Sequence, residues 1–152
     1  MKYKELIQLL DEVLTTHRFI GEVHPVYNVK KFEEIEKIGI FSHRTNGFDF
    51  SKNGIDLSFE VRENKNDDDL QIINGHRIKR NLDSDASKFL EELVEIFSQV
   101  ARKRNKKRLV VIFEIEGRPG SDPESVRTWL SRLGYLKIEE LSSEKWIKIY
   151  NL

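Results

Sequence analysis

Three short stretches of this chain carry the residue types from which chemistry could be built. Residues 102–108 read Arg102-Lys103-Arg104-Asn105-Lys106-Lys107-Arg108, basic at every position but Asn105 and with no aromatic among them. Such a run suits the phosphates of a nucleic acid or a cofactor. It suits equally the cationic end of a helix followed by a solvated turn. A second basic run, His76-Arg77-Ile78-Lys79-Arg80, supports nucleic-acid binding if the fold brings both runs to one face. The third stretch is Arg80-Asn81-Leu82-Asp83-Ser84-Asp85-Ala86, which leads into an apolar-periodic segment. The start of a helix offers unpaired N–H donors and a partial positive charge to a phosphate. Asp83, Ser84 and Asp85 are also good helix-start residues in their own right.

Other reactive groups are sparse. Asp49 and Glu60 are carboxylates within the strand-like segments and Arg62 follows Glu60 by two, a Glu-x-Arg that an alternating strand produces readily. His17, His24, His43 and His76 stand at no metal-ligand spacing, so no metal site is expected. Ser121 and Ser125 have no His–acid arrangement near them in sequence. There is no cysteine, hence no thiolate nucleophile, thiolate metal site or disulfide. Trp129 and Trp146 fall where a helix and a strand should pack.

Composition bounds the rest. Twenty-six basic and 26 acidic side chains cancel, so the chain as a whole has no bias toward nucleic acid or lipid. The longest apolar run, Leu109 to Phe113, is far short of the roughly 20 residues of a membrane helix. Met1-Lys2-Tyr3-Lys4-Glu5 carries charge where a signal peptide would be apolar. A cytoplasmic protein fits these features and the absence of cysteine. The length, 152 residues, is that of one domain, and no linker or repeat divides residues 1–152.

These residues need elements to position them. Tyr3, Leu6, Ile7, Leu10, Val13 and Leu14 predict a helix over 2–16. Asn28 as N-cap, Val29, Phe32, Ile35 and Ile38 as the apolar positions and Gly39 as the stop predict a second helix over 28–38. A short strand is expected within 19–26. Asn46-Gly47, Asn53-Gly54 and Asn74-Gly75 punctuate a β-meander, since both residues of an Asn-Gly pair accept positive φ. Ile55, Leu57, Phe59 and Val61 alternate with Asp56, Ser58, Glu60 and Arg62, a strand with one face in water. Residues 70–73 and 76–80 read as two more arms around Asn74-Gly75. Phe89, Leu90, Leu93, Val94, Phe97, Val100 and Ala101 predict the clearest helix, acidic at its start and basic at its end. Residues 109–115 then read as a buried strand. Ser121-Asp122-Pro123-Glu124 opens a last helix with Val126, Trp129, Leu130 and Leu133 on its apolar face and Gly134 at its end. Residues 135–140 and 145–150 form a closing hairpin around 142–144.

That order, helix, helix, antiparallel strands, long helix, strand, helix, two strands, resembles the GNAT acyltransferase superfamily. The resemblance is strongest over residues 70–152. Val126 to Tyr135 is similar to the family's last helix, and Leu133-Gly134-Tyr135 matches its ending. The resemblance implies an α+β fold with a mixed, mostly antiparallel central sheet flanked by helices. It implies acetyl-CoA in a cleft between two neighbouring parallel strands, with its diphosphate on the backbone of residues 80–86: Arg80, Asn81, Leu82, Ser84 and Ala86, with Arg77 or Arg80 for phosphate charge. A small-molecule or protein amine would attack the thioester, with Glu60 as proton acceptor and Tyr135 as proton source for the leaving thiolate. Two positions depart from the family pattern. Its glycines fall on Asp83 and Asp85, and its usual tyrosine falls on Leu130. A module that binds or inhibits without chemistry, of the immunity or phage type, fits the missing glycines. The order also resembles the core of PD-(D/E)XK nucleases, in which Asp49, Glu60 and Arg62 would be the metal-site positions.

Overall fold

Alternation along the strands decides which side of the sheet meets the helices. The computed structural model describes residues 3–25, 47–63, 68–74, 83–115, 123–140 and 143–152. Seven strands form one sheet: β1 (Glu22–Pro25), β2 (Gly47–Lys52), β3 (Ile55–Glu63), β4 (Asp69–Asn74), β5 (Arg108–Ile115), β6 (Leu136–Glu140) and β7 (Ser143–Asn151). Their spatial order is β1-β2-β3-β4-β5-β7-β6. All neighbours run antiparallel except β4 and β5, which are parallel from Asp69 opposite Arg108 to Asn74 opposite Phe113. A parallel pair needs a crossover. Here the crossover contains the long helix α2 (Ser84–Lys103), while α1 (Tyr3–His17) precedes β1 and α3 (Pro123–Arg132) joins β5 to β6.

Phe48, Phe50, Leu57, Phe59, Val61, Leu70, Ile72, Leu109, Val111 and Phe113 point to one face. They pack there with Leu6, Leu10 and Val13 of α1, Leu93 and Phe97 of α2, and Trp129 and Leu130 of α3. Aromatic rings run through this core in edge contacts: Phe50 to Phe97 at 5.5 Å, Phe97 to Phe59 at 6.1 Å and Phe59 to Phe113 at 5.8 Å. Phe113 then meets Trp129 at 5.9 Å and Tyr135 at 5.4 Å. Ile73, Val110 and Ile112, on the opposite face, form a separate small cluster with Ile147.

Local chemistry sets the ends of the elements. Asn53 and Gly54, at φ 51° and 78°, turn β2 into β3 as the Asn-Gly signal requires. Asp83 caps α2: its carboxylate accepts from the Ala86 N–H at 3.0 Å, and Asp85, Arg102 and Lys103 match the helix dipole. Gly134, at φ 87°, ends α3 in a conformation that strains other residues. The Tyr135 N–H then reaches back to the Leu130 carbonyl at 3.0 Å.

The short strand expected within 19–26 is Glu22–Pro25. The expected arm at 70–73 is part of β4, which β3 pairs on one edge and β5 on the other. The Asn74 side chain donates to the Ser58 carbonyl at 2.8 Å. It takes that acceptor just past Glu60 opposite Ile73, where the β3–β4 pairing ends. The helix expected over 28–38 and the arm at 76–80 lie outside the described residues.

Candidate functional site

Of the residues expected to meet a phosphate, Ser84 and Ala86 stand in the first turn of α2. Of the first three helical amides, that of Ala86 is taken by Asp83. Those of Ser84 and Asp85 have no acceptor among the described residues. Ser87 binds the same turn through its backbone N–H and its hydroxyl, both on the Asp83 carbonyl. The Trp129 indole donates to the Ser87 hydroxyl at 2.8 Å, which ties α3 to the first turn of α2. The donor set therefore fits a phosphate at Ser84 and Asp85 and does not extend to Ala86. The exposed carboxylates of Asp83 and Asp85 oppose an anion there, by roughly 1 kcal/mol for each close pair in water. Arg77, Arg80, Asn81 and Leu82 lie outside the described residues.

Glu60 sits on β3 opposite Gly47 and Ile73, on the face away from the three described helices. Arg62, two residues on and on the same face, donates to it from Nε at 3.0 Å. Asp49 shares that face and accepts from the Ser58 hydroxyl at 2.5 Å. Among the described residues no group of three His, Cys, Asp or Glu could hold a metal ion.

Tyr135 is buried, 3% exposed, against Phe113. Its hydroxyl makes no hydrogen bond among the described residues. Burial first, and then neighbouring Tyr150, push the phenol far above its ordinary value, so it keeps its proton at neutral pH. Leu130 is wholly buried and has no proton to give. Lys148 lies over the rings of Tyr135 and Tyr150 and donates to the Leu133 carbonyl at 2.7 Å, closing the end of α3.

The basic run at 102–108 is largely neutralised by acidic neighbours. Arg104 grips Glu63 through two hydrogen bonds, at 3.0 and 2.7 Å. Lys103 pairs with Glu12, Lys107 with Asp68 and Arg108 with Asp69, while Arg102 lies 4.0 Å from Glu95. The stretch behaves as a helix end stitched to its neighbours. A cleft of about 400 Å³ lies against the middle and C-terminal half of α2, lined by Glu91, Ser98, Lys148, Tyr150 and Arg102 of the basic run.

Two of the ion pairs that join residues far apart along the chain, and so had no local signal in the sequence, bear most on stability. One is Glu63 with Arg104. The other joins Arg127 of α3 to Glu144 of β7 at 2.8 and 2.7 Å, with the Trp146 indole donating to the same carboxylate at 3.0 Å. Hydrogen bonding from Arg127 is the main cause that holds the Glu144 carboxyl down to about 2, against an ordinary 4.5. A depressed folded value contributes stability above the ordinary value and loses it as the pH falls through the folded one. Thermal denaturation of the wild type is therefore expected to lose about 1–2 kcal/mol between pH 4.5 and 2, allowing for solvent screening. Glu144→Gln should lack that acid limb, and the two proteins should converge at the acid end. Parallel curves would remove the pair from the account.

No family model matches the sequence, and no curated protein matches it. Solved structures do resemble the fold. N-acetylglutamate synthase from Neisseria gonorrhoeae, complexed with coenzyme A and N-acetyl-glutamate, aligns with 88% of this chain at 12% identity and a TM-score of 0.44. This chain spans 36% of that one. Ard1 from Thermoplasma volcanium aligns over 88% of this chain and 99% of its own at 8% identity and a TM-score of 0.43. The N-terminal domain of a ribosomal-protein-alanine acetyltransferase from Clostridium acetobutylicum aligns over 70% and 82% at 13% identity and a TM-score of 0.39. Among the described residues no helix is long and apolar enough to cross a membrane. The chain has an α+β fold, with a mostly antiparallel sheet, a parallel β4–β5 pair and a long helix between those two strands.

Proposed function

We propose that this chain is a GNAT-like N-acyltransferase that moves an acetyl group from acetyl-CoA to an amine of a small molecule or protein, with its phosphate turn rebuilt around Asp83. The observation that carries the reading is the pair of amides, Ser84 and Asp85, that have no acceptor among the described residues and stand at the start of a 20-residue helix that crosses between the parallel strands β4 and β5. Those two amides would hold a phosphate, helped by the helix dipole. Arg77 and Arg80 would supply positive charge. When bound, acetyl-CoA supplies the thioester carbonyl that an amine attacks. Glu60 would accept the amine's proton, with Arg62 keeping the carboxylate oriented. Tyr135 is a poor proton source as it stands, since its hydroxyl is enclosed in the core.

The test is thermal denaturation with acetyl-CoA. Ligand at a hundred times its dissociation constant should add about 2.7 kcal/mol. Asp83→Asn keeps a good N-cap and removes one negative charge, so it should bind acetyl-CoA about fivefold more tightly. If neither protein shifts at millimolar acetyl-CoA, the acyl-transfer reading fails and a binding module without chemistry takes its place.

A further inference from the structure

The cleft beside α2 holds opposite charges that do not meet. It runs along α2 from Glu91 to Arg102 and over β7 from Lys148 onward, and its volume of about 400 Å³ is that of a small-ligand site. Lys148 pairs with Val111 and Tyr150 with Leu109, so both stand on the helix side of the sheet. Lys148 is half-buried and held in place: its ammonium donates to the Leu133 carbonyl at 2.7 Å and lies over the rings of Tyr135 and Tyr150. No carboxylate among the described residues pairs with it. On α2, Glu95 is taken by Gln99 at 2.9 Å and by Arg102 at 4.0 Å. Glu91, one turn earlier and exposed, has no partner among the described residues. Ser98, 5% exposed, adds to the same wall a hydroxyl that makes no hydrogen bond among those residues.

We propose that this cleft binds a small zwitterion, an aliphatic α-amino acid. Its carboxylate meets the Lys148 ammonium, with the Tyr150 and Ser98 hydroxyls as further donors. Its ammonium meets Glu91, and its side chain lies against Val94 and Leu152. The ligand class follows from the lining. A lone anion would find Lys148 but face the Glu91 carboxylate, and a lone amine would find Glu91 but face the Lys148 ammonium. A molecule that carries both charges satisfies both, through charge-assisted hydrogen bonds at each end. Lys148 is already fixed by Leu133 and the two rings, so little is lost in ordering it. Ser84 and Asp85 do not line this cleft, so the proposal does not rest on acyl transfer.

Titration of the full chain, followed by NMR chemical shifts, tests it with leucine, with 4-methylpentanoate, which lacks the amine, and with 3-methylbutylamine, which lacks the carboxylate. Leucine should bind with a dissociation constant of about 1 mM, and each singly charged probe about tenfold more weakly. Glu91→Gln should weaken leucine about tenfold and leave 4-methylpentanoate no weaker, so that the two become alike. A merely structural role for Glu91 would not remove that discrimination. Lys148→Met keeps an apolar stem on the tyrosine rings and should abolish binding of both. Circular dichroism shows whether it folds; if it does not, Glu91→Gln, at an exposed position, decides alone. Leucine that leaves the shifts of the cleft unchanged at tens of millimolar overturns the proposal. So does 4-methylpentanoate binding the wild type as tightly as leucine, which would make this a simple anion site, or a Glu91→Gln variant that keeps the full preference for leucine.

Discussion

Phe113→Ala is expected to destabilise the fold by about 3–5 kcal/mol, the range for emptying a buried phenylalanine site. Phe113 is 1% exposed on β5, and its ring meets Phe59 of β3, Trp129 of α3 and Tyr135 beyond α3. Those neighbours belong to different elements, so they cannot close in on the space by moving one of them. Each ring pair adds about 0.5–1.5 kcal/mol beyond the area it buries. For a chain of this size the loss corresponds to a fall in Tm of about 10 °C or more. Phe113→Leu should retain most of the packing. A fall of only a degree or two in the alanine variant would mean that the rings do not share one packed core.

The second large effect is expected at Arg104. Glu63 ends β3 on the inward side, opposite Leu70, and its side chain is 4% exposed. Hydrogen bonds from Arg104 chiefly hold its carboxyl below the ordinary value, against the opposing effect of burial. Removing the arginine leaves a buried carboxylate short of its main cation, and broken buried pairs cost about 3–5 kcal/mol. Arg104 is itself a third exposed, which lowers the expectation to about 2–3 kcal/mol for Arg104→Met. The deficit should shrink in acid. Lost pairing raises the Glu63 value, so protonation removes the buried charge. Glu63→Gln in the same background should recover part of the loss at neutral pH. Equal losses at all pH values, measured by urea denaturation, would rule out the carboxylate as the cause.

Periodicity made the framework readable. Leu57, Phe59 and Val61 are buried while Asp56, Ser58, Glu60 and Arg62 are not, because a strand with one wet face leaves a period of two in its sequence. The apolar positions of α2 were equally plain, although Ile96 and Ser98 are buried too, so the helix is covered over a wider arc than its strongest pattern shows. Leu133-Gly134-Tyr135 was legible since a positive φ at Gly134 and a buried ring at Tyr135 are local requirements. The site was harder to read. Asp83 satisfied two descriptions at once, a cap and a mismatch to a phosphate turn, and coordinates were needed to place its oxygen on the Ala86 amide. The pairing of β4 with β3 on one edge and β5 on the other had no local signal either, since it joins segments far apart along the chain.

Asn74 has one further consequence. Its side chain stands in for a main-chain donor on Ser58, so β4 reaches its last residue with its alignment to β3 and β5 already settled. The long helix, for its part, is anchored by its own cap at Asp83. Alignment is thus secured separately on each side of residues 75–82, and the number of residues between the two anchors is not set by either. A change of length between those two anchors leaves the scaffold in register.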